Sequence, residues 1–307
     1  MKRDLLSLQD LSGDEIVDLL ELTEQLKQDN YQLNNQLKGK TIALVFQKPS
    51  NRTRVSFEVG VFQLGGNCLY LGPTEINLGV RESTADVSKT LSRYLDGIVA
   101  RTHAHQDMID LAQHSSVPII NGLSDLYHPC QALTDIFSIK EKFGKTEGLT
   151  LAYIGDGNNV CNSLLLGCAK VGIHMRIATP LKYESRKDIV RLAKDYAKET
   201  DTEITITNSP QDAVKGADII YSDVWVSMGQ EEESKKRLND FNGYQINEEL
   251  TDLATKDFIF MHCLPAHRGQ EVTAEVIDGE HSIVFDQAEN RLHTQKAILI
   301  SLLGENP

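Results

Sequence analysis

Short apolar runs alternate with helix-length stretches along most of this chain, and they do so in two separate series. Residues 41–46, 67–71, 97–101 and 118–121 are the strand candidates of the first series, and 149–154, 174–178, 203–207, 218–222 and 258–262 those of the second. Strands separated by crossovers of this length pair in parallel, with the helices packed on the sheet faces. The expected fold class is therefore α/β, with two domains, each a parallel sheet flanked by helices. A polar, glycine-containing connection at 143–148 separates the series, giving a first domain at 1–147 and a second at 148–288. Ser12 followed by Glu15 fits a capping box, and Ile16, Leu19, Leu20 and Leu26 recur on one side of the helix it would open. A closing helix at about 290–303 has no strand after it, so the tail 289–307 is expected to return and brace the first domain. The first domain would then carry both the N- and the C-terminal helix.

A length of 307 residues fits two domains of roughly 150 residues each. The formal charge of −13 argues against nucleic acid or an anionic membrane as partner, because both demand basic surfaces. Any anion must then be held by cations gathered locally. Five cysteines, an odd number without CxxC spacing, read as reduced thiols of a cytoplasmic protein with no metal site. The early leucines are interrupted by Asp10, Asp14, Glu15, Asp18, Glu21 and Glu24, which is not the pattern of a signal peptide. No apolar run is long enough to span a bilayer.

Ligands of open α/β sheets bind at the carboxyl ends of strands, and the chemically suggestive residues fall there. Ser50-Asn51-Arg52-Thr53-Arg54 joins the first strand candidate to an amphipathic stretch. A helix start offers backbone N–H groups, the positive end of the dipole and here two hydroxyls and two arginines, which together suit a phosphate. Arg52 and Arg54 are two apart and diverge on a helix, so Arg52 is assigned to the ligand and Arg54 to bracing. Arg101 ends the third strand candidate, where it can meet the same anion. In His128-Pro129-Cys130-Gln131, proline suits the first helical turn, and His128 and Gln131 share a side. An imidazole beside a carboxamide can grip a carbonyl oxygen and an amide NH₂. Cys130 reads as packing, and His103 and His105 as solvated loop residues.

In the second series, Gly155-Asp156-Gly157-Asn158-Asn159 resembles a dinucleotide fingerprint, but Val160 occupies the third glycine position. The next strand ends in Ala178-Thr179-Pro180 without an acid to hold a ribose, so a nicotinamide dehydrogenase is disfavoured. Asn158 and Asn159 suit a smaller polar ligand. Asp223-Val224-Trp225-Val226-Ser227-Met228-Gly229 sets an aspartate for an ammonium group and a Ser-Met-Gly turn for a carboxylate. Gly229 and the following Gln230-Glu231-Glu232-Glu233 would let that segment act as a lid. His262-Cys263-Leu264-Pro265 closes the last strand candidate.

In this order, S-x-R-T-R, H-P-x-Q, D-G-N-N, D-x-W-x-S-M-G and H-C-L-P closely resemble the motifs of ornithine carbamoyltransferases, within the aspartate/ornithine carbamoyltransferase superfamily. The resemblance runs from about Phe46 to Arg291. It implies transfer of the carbamoyl group of carbamoyl phosphate to the side-chain amine of L-ornithine, in arginine metabolism, without a cofactor. By position, it assigns Ser50, Asn51, Arg52, Thr53, Asn77, Arg101, His128, Pro129, Cys130, Gln131, Cys263, Leu264 and Arg291 to carbamoyl phosphate. Of these, Arg101, His128 and Cys263 carry the chemistry. Asn159, Asp223, Ser227 and Met228 are assigned to L-ornithine. The family's trimers imply a homotrimer or a higher assembly of trimers, with Asn77 reaching a neighbouring subunit's site. Asn51 stands where threonine or leucine is more usual, and Asn77 where glutamine or histidine often occurs. Aspartate and putrescine carbamoyltransferases are the competing acceptor classes; S-M-G and H-C-L-P favour ornithine over aspartate. A noncatalytic relative would be expected to have lost some of Arg52, Arg101 and Arg291, all present here.

Overall fold

Both series of apolar runs form parallel sheets. In the computed structural model, which describes residues 2–28, 35–76, 78–226 and 231–304, the first sheet contains β1 (Thr41–Phe46), β2 (Asn67–Leu71), β3 (Gly97–Arg101) and β4 (Ile119–Leu123). The second contains β5 (Thr150–Ile154), β6 (His174–Ala178), β7 (Ile204–Thr207), β8 (Ile219–Ser222) and β9 (Ile259–His262). Their orders are β2-β1-β3-β4 and β7-β6-β5-β8-β9, with every neighbouring pair parallel. The order reverses between β1 and β3 in one sheet and between β5 and β8 in the other, so each sheet has a switch point where the connections leave toward opposite faces.

The chain divides into two compact units, residues up to Phe137 with those from Glu289 onward, and Ser138–Ala288. Both divisions lie inside helices, Pro129–Phe143 and Val284–Leu303. Gly144 and Gly148 both take positive φ in the 143–148 connection. The polar connection marks the end of the helix Pro129–Phe143.

In the first unit, Val45, Ile98 and Ala100 of the sheet pack with Met108 and Leu111 of the helix His105–His114. The N-terminal segment adds to the β4 edge, since Leu5 N–H donates to Ile119 and the Leu5 carbonyl accepts from Asn121. Ser12 and Glu15 cap the helix Gly13–Lys27 reciprocally, and Ile16, Leu19, Leu20 and Leu26 are buried. The final helix packs on this unit. Leu303 lies against Gly97, Leu292 and Lys296 lie against Gly60, and Asn290 accepts from Lys27 at 2.8 Å. β4 continues past its predicted end to Leu123, because its pairing with β3 slips between Ala100 and Arg101 and leaves Gly122 as an extra residue.

In the second unit, Ile154, Ile220 and Phe260 of the sheet share a core with Trp225, Phe241 and Val272. Trp225 stacks on Phe241 with ring centroids 5.5 Å apart. Among the described residues, no helix is long and apolar enough to cross a membrane.

Gly157 sits where a side chain has no room: a Cβ there would lie 2.2 Å from the Ser185 nitrogen and 2.5 Å from the Glu184 carbonyl carbon. Gly157→Ala should destabilise the protein by about 1–3 kcal/mol, the usual cost of overpacking, read as a lowered midpoint in thermal or urea unfolding.

Candidate active site

The β1/β3 switch point gathers the first cluster. Phe46 pairs with Arg101 across it, and Gln47 N–H donates to the Arg101 carbonyl at 2.8 Å. The Gln47 side chain accepts from His103 N–H and donates to Asp107, tying the two strand ends together. Lys48 follows, then Ser50, which caps the helix Asn51–Gln63 and accepts from Thr53 N–H. Arg52 is half-buried on the first turn. Arg54 turns away, pairing with Glu58 at 2.9 Å and lying over the Tyr70 ring at 3.8 Å, which is the bracing role its spacing predicts.

His128 occupies the cap position of the helix Pro129–Phe143, with its carbonyl accepting from Gln131 and Ala132. Arg291 arrives from the final helix and donates to Gln131 Oε1 at 2.6 Å and to Thr53 Oγ1 at 2.9 Å. Gln131 in turn donates to buried Asp135 at 2.8 Å. Its amide is therefore held at both ends, and the helix Asn51–Gln63, the helix Pro129–Phe143 and the final helix are joined through polar side chains.

Electrostatics follows from this gathering. Burial, and then the charges of Arg291, Arg101 and Lys48, push the proton affinity of His128 well below the usual imidazole range. The ring is neutral near pH 7 and can donate one hydrogen bond without adding charge. Lys48 is itself lowered, by burial and then by Arg101. Sequence reasoning missed Lys48, although its place between the first strand and the S-x-R-T-R motif is a signal that could have found it. Cys130 is buried with its thiol toward the Asn121 carbonyl, and burial pushes its pKa up to about 12. That is the packing role expected of it, and the opposite of an activated nucleophile. His105 is not a solvated loop residue. It opens a helix, its Nδ1 lies 2.9 Å from Ser124 Oγ, and its ring packs edge-on to Tyr127.

The second cluster lies at the β5/β8 switch point, where Ile154 pairs with Ser222. Asn158 caps the helix Asn159–Lys170 by accepting from Val160 and Cys161 N–H, and donates to Asp223 Oδ2 at 2.7 Å. Asp223 Oδ1 accepts from Val224 N–H and from the Cys263 thiol at 3.0 Å. The aspartate is thus fixed from three directions. Asn159 is half-buried on the first turn beside this cap. Leu264 follows Cys263 with φ +56, and its N–H donates to His262 Nδ1. Asp223, His262 and Cys263 each offer a ligand atom within 4.8 Å of the others.

Asp156, passed over in the G-x-G motif, accepts from buried Arg237 at 2.7 Å, and Arg237 also donates to the Trp225 carbonyl at 2.9 Å. Burial raises the Asp156 pKa and the arginine opposes that rise. Arg237 thereby ties Asp156 to the Trp225 backbone. Asn77, Ser227 and Met228, with Gly229 and Gln230 of the expected lid, lie outside the described residues.

Two α/β units, each with fixed polar side chains at the switch point of a parallel sheet, have the layout of a two-substrate enzyme. The family model described as "Aspartate/ornithine carbamoyltransferase, carbamoyl-P binding domain" matches residues 3–141, and "Aspartate/ornithine carbamoyltransferase, Asp/Orn binding domain" matches residues 147–302. The chain belongs to the aspartate/ornithine carbamoyltransferase family. It is 52% identical to the ornithine carbamoyltransferase of Carboxydothermus hydrogenoformans over 304 residues, 98% of each chain. It is 53% identical to that of Methanothermobacter thermautotrophicus over 301 residues, 98% of this chain and 99% of the other. The solved ornithine carbamoyltransferase of Pyrococcus furiosus is 48% identical with a TM-score of 0.96, covering 100% of this chain and 98% of that one.

A histidine whose proton affinity falls on folding links stability to pH. Below its ordinary pKa of 6.5, the unfolded chain binds a proton that folded His128 refuses, so this contribution to stability is lost as pH falls below that value and is constant above it. Urea unfolding on either side of about pH 6.5 should show lower stability on the acid side, and His128→Gln should shrink the difference.

Proposed function

We propose that this protein transfers the carbamoyl group of carbamoyl phosphate to the side-chain amine of L-ornithine, giving L-citrulline and phosphate. The observation that carries the reading is the gathering of Lys48, Arg101 and Arg291 around a neutral His128, beside the helix start at Ser50, in a chain of net charge −13. The first unit serves the donor and the second the acceptor.

Ser50, Asn51, Arg52 and Thr53 at the helix start, with Arg101 and Arg291, bind the phosphate, and Lys48 adds to their field. His128 donates to the carbamoyl oxygen, and Gln131 accepts from its NH₂. Pro129 sets the turn that presents His128, and Cys130 contributes through its main chain, since its thiol faces β4. Asp223, held by Asn158 and Cys263, receives the α-ammonium group of ornithine. Asn159 stands beside it, and Ser227 and Met228 serve the α-carboxylate. Cys263 and Leu264 serve the reacting amine and carbamoyl group.

The amine attacks the carbamoyl carbon, the carbonyl oxygen gains negative charge, and the C–O bond to phosphate breaks. His128 stabilises that oxygen by hydrogen bonding, with no covalent enzyme intermediate. An amine with a pKa near ~10.4 is about one part in a thousand neutral at pH 7.4, a cost of about 4 kcal/mol. Desolvation and nearby cations favour loss of its proton, and the departing phosphate can accept one.

The assembly is a homotrimer, with Asn77 serving a neighbouring subunit's phosphate. Val55, Val59 and Phe62 stand exposed along one side of the helix Asn51–Gln63, and Leu69 is exposed on the edge strand β2. Such an apolar stripe suits a self-association surface.

Carbamoyl phosphate offered with ornithine, putrescine or aspartate should yield product with ornithine and little with the others. Equal turnover of putrescine would overturn the acceptor assignment. Arg52→Ala should raise the KM for carbamoyl phosphate and lower kcat, while Asp223→Asn should act mainly on ornithine. Wild-type constants for both substrates in Arg52→Ala would refute the phosphate site. Light scattering should give the mass of three chains, and Phe62→Asp should reduce it.

A further inference from the structure

The corner that carries Cys263 and Leu264 is held by a buried pair, of which Glu271 lies outside the motifs. His262 ends β9, and its side chain and that of Glu271 are both fully buried. The His262 backbone N–H donates to Gln287 Oε1 at 3.0 Å, which anchors the strand end. Its Nδ1 accepts from Leu264 N–H at 2.9 Å, so Nδ1 carries no proton and the neutral ring is protonated at Nε2. Nε2 lies 3.3 Å from Glu271 Oε1, an ion-pair distance without the alignment of a hydrogen bond, so the carboxylate acts on it through its charge. That oxygen is fixed in turn by His267 N–H at 2.6 Å, while the exposed His267 ring stands 3.8 Å from Oε2.

We propose that Glu271 is a positioning residue for this corner: its carboxylate keeps the His262 proton on Nε2, which leaves Nδ1 to hold Leu264 N–H and, through it, the backbone of Cys263 and Leu264. The partner of one imidazole nitrogen sets the role of the other. Moving the proton to Nδ1 would set two N–H groups against each other at Leu264. That residue occupies the left-handed region at φ +56, which a leucine adopts only when its surroundings hold it there. Cys263 is also the donor to Asp223 Oδ1, so a shift of the corner moves the thiol against the carboxylate proposed to take the ornithine ammonium group. The inference rests on the proposed role of Cys263 and Leu264, but its first readout needs no turnover.

In ¹⁵N-histidine-labelled wild-type protein, the His262 signals, identified by their loss in His262→Asn, should show an unprotonated Nδ1 and a protonated Nε2. Glu271→Gln keeps the size and removes the charge. It should mix the two forms and lower kcat/KM for ornithine by ~10-fold, the scale set by removing a histidine's outer partner, with the KM for carbamoyl phosphate unchanged. Asparagine can accept an N–H two residues on whatever its neighbours, so in the His262→Asn background Glu271→Gln should cause no further loss. A wild-type ring protonated at Nδ1, or the same loss from Glu271→Gln in both backgrounds, would overturn the proposal. Absence of citrulline formation by the wild type would instead overturn the proposed reaction and leave the protonation result standing.

Discussion

A parallel strand must hand its chain to a crossover on one face of the sheet, and two neighbours that hand off to opposite faces leave a gap between their carboxyl ends. This constraint recurs at β1/β3 and β5/β8, and the polar clusters follow from it. Register then fixes the placement. Pairing Phe46 with Arg101 brings an arginine level with the loop that starts the next helix, and pairing Ile154 with Ser222 brings Asp223 level with the turn at 155–158. The slip at Gly122 sits beside Arg101, where an extra residue can redirect the strand end without disturbing the interior of the sheet.

Within that frame the first cluster concentrates positive charge in an acidic protein. Such concentration is unfavourable in the absence of an anion, since each cation lowers the proton affinity of its neighbours, as Arg101 does for Lys48 and as all three do for His128. Polar crosslinks hold the arrangement together, with Arg291 bound to Gln131 and Thr53, and Gln131 bound to Asp135. The second cluster is organised around a carboxylate, with Asp223 taking donors from Asn158, Val224 and Cys263. One cluster is thus preorganised for an anion and the other offers a fixed negative group. Preorganised polar groups of this kind need little rearrangement when charge develops in a reaction.

Much of this was legible in the sequence because short-range chemistry carried it. The alternation of apolar runs located all nine strands among the described residues, and the proline after His128 and the serines at 12 and 50 announced helix starts. Long-range pairings were less legible. Nothing in the local sequence links Asp156 to Arg237 or Asn158 to Asp223, because those contacts arise only when the crossovers have packed. The division at 137/138 falls inside the continuous helix Pro129–Phe143, which local patterning cannot subdivide.

The first unit is also discontinuous in sequence. Its clustered polar residues run from Lys48 to Gln131, but the arginine that joins Gln131 to Thr53 lies at 291, beyond the whole second unit. During synthesis the N-terminal portion emerges first and can begin to fold, yet it lacks that arginine until the whole second unit has been made. The order of the polypeptide therefore imposes a timetable. A chain that stops short of residue 291 has the sheet and most of the cations but not the clamp that sets the Gln131 amide, so this cluster is completed only after the second unit.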